Sequence, residues 1–321
     1  MSTLILVADI GGTNTRFACA ARIEGEIQLT QIMQIANSDA PSFIDALTAY
    51  LSLFDRVPTH ACIAAAGPVK SGAVQLTNYN WEIVASELTE RFGFADAALI
   101  NDFVAMARAV PDVSQTSFEP LIAGTPEPAA PRLVIGPGTG LGVATLIEAA
   151  DGTYIVLQGE GGHSAFAPQT DLEVDIANRL RAAHSYVSNE LIVAGIGFPA
   201  VYRAFCDLYG AAHIEVSAEA IHQRAENGDE MCTALCRLRA RTLLRYAGDL
   251  ALANGTLGGV VLAGGVTQHL IPYLKQADIQ AVFRERGAPS HYLDSCRVDI
   301  LTAPHAPLIG AAAFLQTALD T

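Results

Sequence analysis

Lysine is almost missing from this 321-residue chain; only Lys70 and Lys275 are present. A phosphate site centred on a lysine is therefore excluded, and Lys70 follows Val69, so no G-x-x-x-x-G-K-[ST] motif exists. Charge of either sign is scarce at 16%, and what there is leans acidic, with a formal net charge of −14. That balance excludes a polyanionic duplex as the main partner. The arginines at 237, 239, 241 and 245 read as a helix face paired with acids. C-x-x-C pairs are missing too. The six cysteines, at 19, 62, 206, 232, 236 and 296, are scattered, which predicts a reducing, cytoplasmic setting. Long apolar runs are absent despite a mean hydropathy of +0.31. The longest uncharged stretch, Leu250 to Leu274, carries five glycines with Asn254, Gln268, His269 and Pro272, so no membrane span is expected. No basic segment or cleavage signal precedes Asp9, and an export signal is not expected.

What is present is 51% hydrophobic residue, which excludes disorder, over a length suited to two domains. Leu4–Asp9, a Gly/Thr turn and Phe17–Ala21 read as strand, turn, strand, and Glu26–Ile35 as a third strand. Ser38 or Asp39 is expected to cap a helix reaching Phe54. Ala61–Ala66 and Ala97–Ile100 read as buried strands, with a helix over Ile83–Phe92 between them. Five prolines between Pro111 and Pro131 predict an irregular connection. The opening pattern then recurs, with Leu133–Leu146 echoing Leu6–Ala20 where a duplicated domain would begin. Helices follow at about 171–183, 199–209, 217–227 and 230–254. A last strand, Gly259–Ala263, and a closing helix at about 307–318 complete an α/β pattern.

Three strands end in glycine-rich turns: Asp9-Ile10-Gly11-Gly12-Thr13, Gly136-Pro137-Gly138-Thr139-Gly140 and Ala263-Gly264-Gly265. Any one of these can be a plain β-turn. Three at strand ends point to nucleotide phosphates, because successive amide N–H groups form an anion nest and glycine lets the backbone approach closely. Asp9 is placed to orient Mg²⁺ through water. A dinucleotide-type match at Gly195-Ile196-Gly197-Phe198-Pro199-Ala200 lacks a following βαβ unit and reads instead as a helix N-terminus.

Asn101-Asp102 ends a strand and opens a helix, so Asp102 is either a helix cap or a general base aimed at a hydroxyl. Glu160 and His163 lie three apart in Gln158-Gly-Glu-Gly-Gly-His163. The flanking glycines argue against a helical Glu-x-x-His metal pair, there or at Glu219…His222, and favour hydrogen bonds to a polyol.

Taken together, Leu6-Val-Ala-Asp-Ile-Gly-Gly-Thr-Asn-Thr-Arg16, Ile100-Asn-Asp-Phe103, Gly138-Thr-Gly-Leu-Gly142, Gly159-Glu-Gly-Gly-His163, Ser188-Asn-Glu190 and Leu262-Ala-Gly-Gly265 resemble the bacterial glucokinase family. The similarity holds in order and spacing from residue 4 to about 315. The resemblance implies two α/β domains, 1–110 and 111–321, of a duplicated actin-like, ribonuclease-H-like ATPase fold with an interdomain cleft, the closing helix able to pack back on the smaller domain. It implies that Asn101, Asp102, Glu160, His163 and Glu190 hold D-glucose and that Asp102 is the base for the 6-hydroxyl. Residues Ala8, Asp9, Ile10, Gly11, Gly12 and Thr13, with Gly138, Thr139, Gly140, Gly264 and Gly265, would wrap ATP. It implies a homodimer as well. The related repressor-and-kinase family follows its Gly-Glu-x-Gly-His segment with a cysteine-rich zinc motif. Here Ser164-Ala-Phe-Ala-Pro168 follows, so zinc is not expected, and neither is that family's N-terminal DNA-binding helix-turn-helix.

The expected reaction is phosphoryl transfer from Mg·ATP to the glucose 6-hydroxyl, with no nucleic-acid or membrane partner. The alternatives are a kinase for mannose, fructose or an N-acetylhexosamine, a non-catalytic sugar sensor, and a nicotinamide oxidoreductase built on Gly195–Ala200.

Overall fold

The computed structural model describes residues 3–319 except 55, 56, 77, 78 and 80. It resolves two compact units: residues 1–118, 149–158 and 302–321, and residues 119–148 and 159–301.

The first unit opens with β1 (Ile5–Ile10), β2 (Asn14–Ile23) and β3 (Glu26–Ala36), an antiparallel meander, followed by α1 (Phe43–Leu51). β4 (His60–Ala65), a small hairpin of β5 (Ala73–Gln75) and β6 (Glu82–Val84), α2 (Ala85–Phe92), β7 (Asp96–Asn101) and α3 (Asp102–Ala109) come next. Strands lie in the order β3-β2-β1-β4-β7, with β1, β4 and β7 parallel. In the following connection, β8 is Phe118–Ile122.

The second unit contains β9 (Arg132–Pro137) and β10 (Leu141–Glu148), again an antiparallel hairpin. β11 (Tyr154–Gly159) precedes the helices α4 (Asp171–Arg181), α5 (Asn189–Val193), α6 (Phe198–Tyr209), α7 (Ala218–Glu226) and α8 (Glu230–Asn254). Then come β12 (Val260–Leu262), α9 (Gly265–Leu274), α10 (Ala277–Ala281) and β13 (Val298–Leu301). The order β10-β9-β12-β13 repeats β2-β1-β4-β7 of the first unit, parallel from β9 through β13. The duplicated opening pattern is thus a duplicated sheet. The chain closes with α11 (Ala306–Leu319), which belongs to the first unit.

β1 is apolar at almost every position because both faces are covered. Leu6, Ala8 and Ile10 meet Phe43, Leu47 and Tyr50 of α1, while Ile5 and Val7 meet Val104 and Ala105 of α3 and Leu308, Ala311 and Leu315 of α11. Each such side chain contributes roughly 1.5–3 kcal/mol on full burial. Gly310 lets α11 approach α3, since a Cβ there would lie 1.7 Å from the Ala105 carbonyl oxygen.

Local expectations shift in four places. The cap of α1 is Ser42, whose Oγ accepts from the Asp45 N–H at 3.1 Å, and residues 37–39 form a separate 3₁₀ turn. Ile83 lies in β6, so the helix expected from it begins at Ala85. The proline-rich connection contains β8, an edge strand where Pro120 costs no essential ladder donor. β13 follows β12, its four residues too short for periodicity to mark. The four arginines of α8 divide. Arg237, Arg241 and Arg245 pair with Asp278 or Glu173, whereas Arg239 is buried. Among the described residues, no helix is long and apolar enough to cross a membrane.

Candidate active site

The β1–β2 hairpin pairs Ile10 with Thr15, leaving Gly11–Asn14 as its turn. The Gly11 N–H donates to the Asn14 carbonyl at 2.9 Å. The outward carbonyls are tied down by one residue, the fully buried Asn37. Its Nδ2 donates to the Gly11 oxygen at 3.0 Å and its backbone N–H to the Thr13 oxygen at 2.8 Å. Its Oδ1 accepts from Thr15 Oγ1 at 2.8 Å. Among the described residues, the Gly12 and Thr13 N–H groups find no protein acceptor. An unpaired amide pair beside glycine is the donor set a phosphate needs. Ala8 and Ile10 turn fully buried side chains into the core and act as supports for Asp9 and the turn.

The β9–β10 hairpin pairs Pro137 with Leu141 around Gly138-Thr139-Gly140. Here backbone does the tying: Gly195 N–H donates to the Gly138 oxygen and Ile196 N–H to the Thr139 oxygen, each at 2.9 Å. Those amides are therefore spent on the turn and are not offered to a pyrophosphate. Gly197 precedes α6 as its N-terminal cap, and a Cβ at Gly197 would lie 1.8 Å from the Leu191 oxygen. The third turn lies against the second. Gly264 has φ +85°, and a Cβ there would lie 2.5 Å from the Pro137 oxygen. Gly265 then opens α9, a helix N-terminus that favours negative charge.

At the end of β7 the helix cap is Asn101. Its Oδ1 accepts from the Phe103 and Val104 N–H groups at 2.9 and 3.4 Å, and its Nδ2 reaches the Gly67 oxygen at 3.2 Å. A side-chain cap stabilises a helix by about 1 kcal/mol. Because Asn101 caps α3, Asp102 is not needed for that role; its Oδ1 accepts from Phe103 N–H at 3.0 Å. Register aligns Asp9 with Ala64 and Ala64 with Ile100, one residue-pair short of Asp102 on the face covered by α3 and α11. Desolvation raises the Asp102 carboxyl to a pKa of about 7, and the Asp9 charge pushes the same way. Asp9 is itself held above the ordinary carboxylate range by burial, opposed by Arg16, whose Nη1 lies 3.4 Å from Oδ2.

In the second unit, Glu160 and His163 stand at the two ends of a 3₁₀ turn, both exposed. The turn is clamped because Gly162 sits where a Cβ would be 2.1 Å from the Leu141 oxygen, and because Tyr246 Oη donates to the Gly161 oxygen at 2.6 Å. Glu190, in α5, brings one oxygen to the Leu141 N–H at 2.8 Å and the other to within 3.6 Å of His163 Nδ1. Gly140 makes room for it, since a Cβ there would be 2.7 Å from Glu190 Oε2. Glu190 thus touches the second turn as well as His163.

Four supporting residues escape a reading by motif: Asn37, Tyr246, Asn189 and Arg239. Asn189 Nδ2 bonds the Ser164 and Ala165 oxygens, holding the segment after His163. Buried Arg239 donates to the Val193 oxygen, at 2.6 Å from Nη2, and lies over the Phe198 ring, bracing the end of α5. Burial lowers its pKa to about 10. Each acts on residues 22 to 85 positions away or through backbone atoms, so no local spacing marks it.

Asp9 fits a hydrated Mg²⁺ as a single strand-end carboxylate with Arg16 on one oxygen. Among the described residues, no group of three or more His, Cys, Asp or Glu is arranged to hold a metal directly.

The family model described as Glucokinase matches residues 6–318. A glucokinase of Saccharophagus degradans is 36% identical over 314 residues, covering 97% of this chain and 98% of its own. One from Pectobacterium atrosepticum is 35% identical, covering 100% and 99%. The crystal structure of a glucokinase from an Antarctic psychrotroph, 36% identical, superposes with a TM-score of 0.87 over 98% of this chain and 99% of that one. These matches agree with the duplicated sheet and the three glycine turns, and the chain belongs to the glucokinase family.

Proposed function

We infer that the protein transfers the γ-phosphoryl group of ATP to the 6-hydroxyl of D-glucose, with Asp102 as the base. The observation that carries this reading is the division of labour at the end of β7. Asn101 caps the helix, and Asp102 is left with a carboxyl near neutrality. A general base works best when its pKa lies close to the operating pH. At about 7, roughly half of Asp102 is ionised in neutral solution, and that carboxylate is basic enough to take the proton as the new P–O bond forms. Phosphoryl transfer depends mainly on positioning and charge neutralisation. In this reading the N–H groups of Gly12, Thr13, Thr139 and Gly140, which find no acceptor among the described residues, hold phosphate oxygens without lysine. The amide at Gly265 adds a helix N-terminus. Mg²⁺, when bound with ATP, neutralises phosphate charge, and Asp9 holds its hydration shell. Glu160, His163 and Glu190 accept from and donate to sugar hydroxyls, Glu190 orienting His163.

The test is ADP release in a coupled assay with Mg·ATP and a panel of hexoses, wild type beside Asp102→Asn. Glucose-dependent turnover that collapses in the variant is the expected result. Turnover with another hexose alone would move the substrate assignment, and sugar binding without any turnover would leave a sensor. The same reading includes a cytoplasmic homodimer, for which sedimentation velocity of the purified protein and cell fractionation are the checks.

A further inference from the structure

Two turns at equivalent places in the duplicated sheets are held by different means. In the second unit, the Gly138 and Thr139 carbonyls are drawn back by two backbone amides, those of Gly195 and Ile196. In the first unit, the Gly11 and Thr13 carbonyls are drawn back by Asn37 alone, through Nδ2 and its own N–H. Asn37 is fully buried although asparagine is seldom so, and every polar bond it makes runs to the turn or to Thr15 at its base. The Gly11 carbonyl, which can only accept, fixes the amide orientation: Nδ2 donates to it, and Oδ1 on the other side accepts from the fully buried Thr15 hydroxyl. With both carbonyls held on one side, the Gly12 and Thr13 N–H groups are left without a protein acceptor.

We propose that Asn37, with Thr15 behind it, is the positioning residue that pre-organises the Gly12–Thr13 amides for the phosphates of ATP. The inference rests on the reading above that this turn binds ATP. Asn37 touches no substrate in it; it sets the direction of groups that do. Its loss should therefore weaken ATP and leave glucose alone.

Asn37→Asp is the sharpest variant, because it keeps the acceptor for Thr15 and replaces the Nδ2 donor with an oxygen facing the Gly11 carbonyl. The expected result is an ATP KM raised by about tenfold or more, the size of one strong hydrogen bond lost or inverted. The glucose KM should stay within about twofold, as this change leaves uniform sugar binding untouched. Thr15→Val, which removes only the hydroxyl that donates to Asn37 Oδ1, should raise the ATP KM by about two- to fivefold and keeps the question open to test if Asn37→Asp does not fold. Thr13→Pro, which removes one of the two N–H donors, reports on the turn itself in the same assay. If Thr13→Pro raises the ATP KM while Asn37→Asp and Thr15→Val do not, Asn37 is not a positioning residue and the turn assignment stands. If none of the three moves the ATP KM, the turn does not hold ATP, and the inference goes with it. Equal rises in the ATP and glucose KM values would make Asn37 a structural residue only.

Discussion

The Gly11–Asn14 turn and the Gly138–Gly140 turn begin from the same strand order and hairpin, yet their supports differ in kind. One is held by a buried side chain, the other by the backbone of a neighbouring segment and a carboxylate on Leu141 N–H. Backbone donors survive most substitutions, since every residue but proline supplies an N–H. A side-chain support can be removed by a single change. The two units differ in their carboxylates as well. Asp9 and Asp102 are desolvated at strand ends, whereas Glu160 is exposed and Glu190 leans on His163. On the proposed reading, the first unit supplies the proton acceptor and the second holds the polyol.

The largest effect that sharpens this contrast comes from Asp102→Asn, which should lower kcat by roughly 10²–10⁴ while the fold survives. Near-wild-type turnover would take proton transfer away from the first unit. The same substitution has a stability signature. The folded Asp102 holds its proton more tightly than the unfolded chain does, so ionising it costs stability as pH rises from about 4 through about 7. Asp102→Asn should therefore melt higher than wild type at pH 8 and lose that advantage near pH 4. Thermal unfolding at the two pH values checks it.

For the second unit, Gly197→Ala tests how much the backbone support matters. The added Cβ would collide with the Leu191 oxygen, moving Gly195 and Ile196 off the turn carbonyls at a cost of about 2–4 kcal/mol. A melting temperature unchanged in calorimetry would show that the segment yields freely. Glu160→Gln should raise the glucose KM by about ten- to a hundredfold with a smaller change for ATP, since a site built on hydroxyl hydrogen bonds discriminates strongly. An unmoved glucose KM would remove Glu160 from the sugar site. The mildest effect is on the pH profile. Protonation below about 7 leaves Asp102 unable to accept, so kcat/KM should fall on the acid side with a midpoint near 7. Asp9→Asn removes a neighbouring charge and should shift that midpoint to lower pH; an unshifted midpoint in residual-activity measurements would separate the two carboxylates.

Much of this was legible in the residues. The strand-turn-strand repeat at Leu6–Ala20 and Leu133–Leu146 foretold two equivalent hairpins, because glycine and apolar runs write their conformation locally. Asn101-Asp102 could be placed at a strand-to-helix junction, but whether Asp102 caps the helix or stands as a base was undecided, because a carboxylate at that place can do either. β5, β8, β11 and β13 were missed. Pro120 hid β8, and three or four residues are too few to show a period in β5 and β13.

By itself the sequence determined the α/β class, the three glycine turns and the family to which the chain belongs. These depend on residue types at short spacing, where backbone preference and hydrophobic period act directly. Tertiary structure alone decided that Asn101 takes the cap and leaves Asp102 a carboxyl near neutrality. It also decided that Asn37 braces one turn while Gly195 and Ile196 brace the other. Those outcomes depend on desolvation and on hydrogen bonds closed between residues 22 to 57 positions apart, which exist only once the chain has folded.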